Sequence, residues 1–371
     1  MLEKTRGLRD AVRNIDFVLI ALTVAAAVFG IVMISSAGGS GSVRYVIVQT
    51  AALFVGLIGI IVISILDYDY LARLSKYIFA ACVLLLALVL IPGIGSERNG
   101  ARSWFDLGVV SFQPAELVKI GFVITFSKQL AETGKGLNEP KNLCKVLLQP
   151  VILCVLMLLQ PDFGTVIVFV MMAVAMLFMA KLSYKYILGG FAAMAAACPL
   201  AWFFLLKPYQ KDRIINLFHP ENDPTGSGFQ VIQSRTAVGS GKLTGMGLYN
   251  GASRYNNLLP ERHTDFIYAV VCEELGMIGG IAVIVLLSAI IIRCLYIGIN
   301  ARNSEGLYIC TGVAAMLAFQ SFENIGMCIG LFPITGITLP FFSYGGSSLA
   351  TTMLAVGLAL NVRYRYKKIN F

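Results

Sequence analysis

The sequence predicts an all-α fold: a polytopic membrane bundle of about ten transmembrane helices with both termini cytoplasmic and one long outer loop. Composition, the length of the apolar runs and the sidedness of the charge carry that prediction. Hydrophobic residues make up 57% of the 371 positions and charged residues only 13%, whereas soluble domains carry roughly 25% charged residues. Mean hydropathy is +0.79.

Runs of about 20 apolar residues are long enough to cross a bilayer. They lie at 16–36, 44–66, 72–93, 113–131, 145–160, 163–182, 185–207, 265–293, 305–331 and 340–362. The run at 145–160 is the shortest and most mixed. An even number of crossings leaves both ends on one side. The first run is longer than the apolar core of a signal peptide and further runs follow it, so no cleavable signal is expected.

The net charge of +9 excludes a nucleic-acid role by its distribution. Lys4, Arg6, Arg9 and Arg13 precede the first run, and Lys367 and Lys368 follow the last. Arg73, Lys76, Lys128, Lys135, Lys141, Lys145, Lys181, Lys185, Arg293, Arg302, Arg363 and Arg365 fall in or beside connections on that same side. The short outer loops hold only Arg44, Arg98 and Arg102. This is the positive-inside pattern, and it sets both termini in the cytoplasm.

Two outer connections are long. One spans about 94–112. The other, about 208–264, carries Tyr209, Ile214, Phe218, Phe229, Val231 and Leu248 as anchors and reads as a partly ordered cap over an outward-facing cavity. With no internal repeat or soluble segment, residues 1–371 read as one membrane domain. The eight cysteines show no CxxC spacing and none lies in an outer loop, so they read as small buried hydrophobes.

Polar residues inside apolar runs are the functional candidates. The stretch LLPERHTDFIYAVVCEELG at 258–276 enters a predicted helix with acids, although a charged residue at a spanning-helix centre costs roughly 2.5–3.5 kcal/mol. Asp265 stands where loop becomes helix, with Glu273 and Glu274 two turns further. Glu116 and Lys119, three apart, share a helix face with Gln113. They read either as an ion pair locking the bundle or as a cavity lining with a lysine for an anionic substrate. Gln320 and Asn324 suit inter-helix hydrogen bonds. Asp162, in QPDFGT, suits a helix cap as well as a substrate contact.

The glycine-rich stretch 239–245 fails as a nucleotide loop: Thr236 stands at the first glycine and Leu243 at the Ser/Thr position. Its backbone N–H groups would still suit a diphosphate. His219 and His263 are too few for a histidine-held metal. The acids leave room for magnesium or manganese, which need only oxygen ligands.

These motifs resemble the SEDS family (shape, elongation, division and sporulation) of membrane-embedded peptidoglycan glycosyltransferases. The resemblance is carried by NGARSWFDLG at 99–108, FQPAELVKI at 112–120, QPDFGT at 160–165 and the segment 208–234. LPERHTDFIYAVVCEELG at 259–276, NIGM at 324–327 and PITGITLPFFSYGGSSL at 333–349 complete it. Length and NDPTGSGFQ are closer to the elongation members than to the division members. Ala115, Lys242, Met246 and Tyr268 depart from the family pattern.

The resemblance implies polymerisation of lipid II on the outer face of the cytoplasmic membrane, with inversion and release of undecaprenyl diphosphate. It implies Asp265 as general base and substrate contacts at Gln113, Glu116, Lys119, Arg102, Arg213, Asp162, Gln233, Ser234 and Lys242. A divalent cation (Mg or Mn) would share the leaving-group charge; no nucleotide is implied. It also implies a class B penicillin-binding protein and elongation-complex membrane proteins as partners. Two alternatives stand beside it: a lipid II flippase, which should line a path from both faces, and a non-catalytic scaffold, which leaves the buried acids unexplained.

Overall fold

The structure is a computed structural model that describes residues 16–98, 101–106, 111–204, 206–252 and 259–365. Lys4, Arg6, Arg9, Arg13, Lys367 and Lys368, which enter the charge argument, lie outside the described residues, as does part of the 99–108 motif.

Helices occupy all ten predicted runs. They are α1 (Phe17–Ala37), α2 (Ser42–Ile65), α3 (Tyr68–Arg73) continued by α4 (Ser75–Leu90), α5 (Pro114–Thr133), α6 (Pro140–Leu159) and α7 (Phe163–Met179). After α8 (Tyr184–Phe204), two cap helices, α9 (Pro208–Phe218) and α10 (Ser227–Ser240), precede α11 (Ile267–Ile299), α12 (Ser304–Cys328) and α13 (Gly346–Tyr364). Among the described residues α1, α2, α6, α8 and α11 are long and apolar enough to cross a membrane, and α4 and α7 are apolar but shorter. The chain is a multi-pass membrane protein.

The more polar helices are the central ones. Nearly every residue of α5 from Pro114 to Ser127 is buried, as is most of α12, so their polar groups face protein and not lipid. By contrast, almost every described side chain of α8 is exposed, which an apolar helix tolerates in lipid. Helix α13 packs along α2, where Gly56 and Gly59 meet Met353 and Leu354 and Gly357 meets Ile60. Small residues at such a seam let membrane helices approach closely.

The outer loop at 94–112 departs from the all-α reading. It holds a three-stranded antiparallel sheet of β1 (Ser96–Arg98), β2 (Ala101–Asp106) and β3 (Ser111–Phe112). Ser96 pairs with Trp104 and Phe105 with Phe112. The long loop holds the two cap helices, and its described residues 241–251 and 259–264 form turns.

A larger correction concerns α11. Its 33 residues are interrupted at Gly276 (φ 68°, ψ −165°). Segment 241–247 docks there: Met246 N donates to Glu273 O (3.0 Å), Gly247 N to Glu274 O (2.9 Å), and Met277 N to Lys242 O (2.8 Å). The carbonyls and amides released by the break are thereby satisfied. These bonds occupy the N–H groups of Met246 and Gly247, and Gly245 N donates to Gly241 O (2.8 Å). Within the 239–245 turn expected to offer its amides to a diphosphate, the amides of Gly245 and of Lys242 (to Gly239 O, 3.4 Å) are engaged.

The break also changes where the acids sit. Ser36 Oγ donates to Glu274 Oε1 (2.5 Å), and Arg262 Nε donates to Ala37 O (2.6 Å). Both contacts are with the outer end of α1, so the stretch 262–274 runs along the outer membrane boundary. At the other end Arg293 pairs with Asp16, the residue capping α1 (2.8 Å). From Glu274 to Arg293 the helix rises about 28 Å at 1.5 Å per residue, close to the roughly 30 Å hydrocarbon thickness. Glu273 and Glu274 therefore lie at the boundary, not within the crossing as the sequence suggests.

A Cβ on Gly276 would collide with Leu243 O and Gly245 N, and positive φ alone costs a side chain about 1–3 kcal/mol. Gly276→Ala is expected to lower the melting temperature in detergent by several degrees. Gly239→Ala, in α10 with nothing within 4 Å of the new Cβ, should leave it unchanged or raised. Equal melting of the two variants would contradict this account of the break.

Candidate active site

Asp265 ends the turn that precedes α11. Glu261 adopts φ 52°, and its carbonyl accepts from the amides of Thr264, Asp265 and Phe266 (3.1–3.3 Å). The Thr264 hydroxyl donates to Glu261 Oε2 (3.0 Å). Beneath the turn, Asn324 Nδ2 on α12 donates to Asp265 O and to Ile337 O, each at 2.7 Å. Ser343 Oγ donates to Thr264 O (2.6 Å) and Tyr344 N to His263 O (2.8 Å). The His263 ring stacks on Tyr45 at 4.4 Å, and burial holds its pKa below the usual imidazole value.

The backbone around Asp265 is thus fixed from α12 and from the turn before α13, while its side chain stays half-buried. Burial pushes the carboxyl up to about 7, helped by the neighbouring Glu261 carboxylate and opposed by Arg213. Such a carboxyl is ionised and basic near neutral pH, as proton abstraction requires.

A second polar group lies at the outer ends of α5, α7 and α12. Lys119 Nζ meets Glu116 Oε1 at 2.9 Å, both buried, and Thr351 Oγ1 on α13 donates to Glu116 Oε2 (3.3 Å). Gln113 Nε2 donates to Asp162 Oδ2 (2.9 Å), while Asp162 Oδ1 caps α7 by accepting from Thr165 N (3.2 Å). The geometry of Glu116/Lys119 is that of a buried, locked ion pair, with the Gln113–Asp162 contact nearby.

The strap 334–337 joins the two groups. Arg213 Nη1 donates to Ile334 O (3.1 Å). Thr335 lies with Glu323 over Gly164, where a Cβ would be 2.9 Å from Thr335 Cβ and 3.0 Å from Glu323 Oε1. Gly336 faces Asp265 Oδ2 and Ile337 O receives Asn324. Adjacent residues of α12 thus serve different groups, Glu323 toward Asp162 and Asn324 toward Asp265. The sequence reading named Asn324 and passed over Glu323, whose signal was an acid inside an apolar helix.

The remaining candidates divide. Arg213 reaches the site, with its guanidinium 5.8 Å from the Tyr209 ring. Arg102 instead pairs with Glu97 across its own hairpin (3.6 Å). Gln233 is half-buried on α10. Ser234, expected at the substrate, is fully buried and donates to Cys328 O (2.8 Å); its hydroxyl joins α10 to α12. The Lys242 side chain is exposed at the break in α11, away from the strap contacts. Glu274 holds the loop through Ser36, whose hydroxyl also accepts from Tyr249 N (3.2 Å).

Comparison with known proteins bears on the family and the fold. The profile of the cell cycle protein family FtsW/RodA/SpoVE matches residues 16–368. Stage V sporulation protein E of Bacillus subtilis is 38% identical over 95% of this chain and 98% of that protein. Peptidoglycan glycosyltransferase MrdB of Escherichia coli K12 is 34% identical over 96% and 95%. A solved chain from work on the structural coordination of polymerization and crosslinking by a peptidoglycan synthase complex superposes with a TM-score of 0.81. It is 34% identical and covers 94% of this chain and 97% of that one.

Removing one partner of a buried ion pair strands the other, at about 3–5 kcal/mol. Lys119→Met is expected to lower thermal stability markedly, and adding Glu116→Gln should recover most of the loss. A double variant no more stable than Lys119→Met would show that the pair is not coupled.

Proposed function

This chain belongs to the FtsW/RodA/SpoVE family of cell cycle proteins, and from that premise we propose that it is a peptidoglycan glycosyltransferase. It polymerises lipid II into glycan strands on the outer face of the bacterial cytoplasmic membrane during cell elongation. The observation that carries the proposal is Asp265: a half-buried carboxyl at the outer boundary, fixed by Asn324 through its backbone and tuned to about 7.

In this reading Asp265 accepts the proton of the acceptor sugar's 4-hydroxyl as that oxygen attacks the anomeric carbon of the donor. The carbon–oxygen bond to the diphosphate breaks on the opposite face, so configuration inverts and undecaprenyl diphosphate departs with the bonding pair. Arg213 is the cation bonded to the strap beside Asp265, and preorganised positive charge is worth most where negative charge develops. Among the described residues no three His, Cys, Asp or Glu side chains converge to hold a metal ion. A magnesium or manganese ion would therefore take substrate phosphate as its main ligand, neutralising leaving-group charge.

Sidedness supports polymerisation over the flippase alternative. The polar groups joined by the strap stand at outer helix ends, while inner contacts such as Asp16–Arg293 and Asp67–Arg365 tie helix ends together. The synthase-complex relative supports a cross-linking partner, a class B penicillin-binding protein within an elongation complex. Sporulation duty is a second reading, favoured by the 38% identity to stage V sporulation protein E.

The test is glycan-chain formation from purified lipid II by the full chain with its class B partner. Wild type should form chains, and a folded, partner-binding Asp265→Ala should lose at least about 100-fold, the lower range for general-base catalysis. Equal activity would remove Asp265 from the role. No chains from wild type, with lipid II crossing proteoliposome membranes, would support the flippase.

The pH dependence has a definite sign. The base must be ionised, so the acid limb of kcat/KM should rise up to about pH 7 and level off above it. Glu261 holds the carboxyl up, so Glu261→Gln should move the limb to lower pH; Arg213 holds it down, so Arg213→Met should move it higher. Unmoved limbs would place the titrating group elsewhere.

A further inference from the structure

We propose that Gly336 forms the floor of the acceptor subsite: the missing side chain leaves the sector beside Asp265 Oδ2 open for the attacking sugar hydroxyl. The inference rests on Asp265 acting as the base of a glycosyl transfer and assigns a role to a residue outside the acid, ion-pair and capping groups.

The position of Gly336 is determined by its neighbours. Ile334 O is held by Arg213 (3.1 Å) and Ile337 O by Asn324 (2.7 Å). Arg213 comes from the cap helix α9 and Asn324 from α12. Leu339 N donates to Ser343 Oγ (2.7 Å), and Thr338 Oγ1 meets Ser348 Oγ (2.9 Å). The strap is therefore fixed on both sides of Gly336 and has little freedom to retreat from an added atom. Asn324 bonds the strap and Asp265 O with the same nitrogen, so the backbones that carry the glycine and the carboxylate are tied together.

Gly336 itself is exposed, unlike buried Ile334 and Ile337 on either side. A Cβ built on it would have one heavy atom within 4 Å, Asp265 Oδ2 at 3.6 Å. Among the described residues, chain neighbours apart, nothing else lies within 4 Å of that position. A hydroxyl giving its proton to Asp265 must come within about 2.6–3.2 Å of a carboxylate oxygen. A methyl group at 3.6 Å from that oxygen would occupy part of this approach.

Gly336 has φ 76°, so a substitution also strains the backbone. Strain and occlusion predict opposite orders. Asn tolerates the left-handed region far better than Ala, yet is larger. If Gly336 keeps the subsite open, Gly336→Asn is at least as damaging as Gly336→Ala; if it serves backbone conformation, Asn is the milder change.

The experiment measures initial rates of glycan formation against lipid II concentration for the full chain with its class B partner, alongside melting in detergent. Gly336→Ala is expected to lower kcat/KM about tenfold or more, Gly336→Asn at least equally, with both melting within a few degrees of wild type. Asn more active than Ala, or both at the wild-type rate, would overturn the proposal. If the variants do not fold, the wild-type chain supplies the readout. Lipid II should slow modification of Asp265 by a water-soluble carbodiimide, and no protection would overturn the proposal. A wild-type chain that forms no glycan would instead remove the glycosyltransferase reading on which it rests.

Discussion

Hydrocarbon excludes carboxylates, and the geometry of α11 is the answer to that constraint on which the outer half of the protein depends. Breaking the helix at Gly276 divides 33 residues into a crossing segment and a segment that lies along the outer boundary. The break exposes backbone groups, and the loop 241–247 supplies their partners. Glu274 then binds Ser36 at the end of α1. The same acids that would be prohibitive at the bilayer centre become ties between the loop, α1 and α11.

From that boundary segment the site follows. Asp265 precedes it, and a carboxyl placed there is close enough to protein to lose much of its hydration and still reachable from outside. The rise of its pKa to about 7 is mainly this desolvation. The position is exact only because α12 reads two elements at once: Asn324 holds both Asp265 O and the strap. One residue earlier, Glu323 reaches the Asp162 cluster. Asp265, Arg213 and the buried Glu116–Lys119 pair are therefore linked through α5, α7, α9, α12 and the strap.

The two faces differ in kind. Inner ion pairs sit at helix ends and fasten them, as Arg293 fastens α11 to Asp16 and Arg365 reaches Asp67. Outer polar groups converge on a strap whose Gly336 is exposed. On the proposed reading, this asymmetry suits a reaction confined to one membrane face.

The ten apolar runs by themselves determined the helices, because about 20 apolar residues in series have one low-energy arrangement in lipid. The same logic made Asp265, Glu116 and Lys119 legible, since acids and lysines in apolar surroundings stand out. Other features were harder to read. The Asn99–Gly100 pair was a hairpin signal for the β1–β2 ladder, masked by an all-helical expectation. Glu323 was hidden by its neighbour Asn324. The break at Gly276, the spent amides of 245–247 and the burial of Ser234 had no local signature. Each depends on which distant backbone arrives to satisfy a hydrogen bond, and only tertiary packing decides that. Sequence set which groups had to be kept from lipid; the fold decided which of them meet.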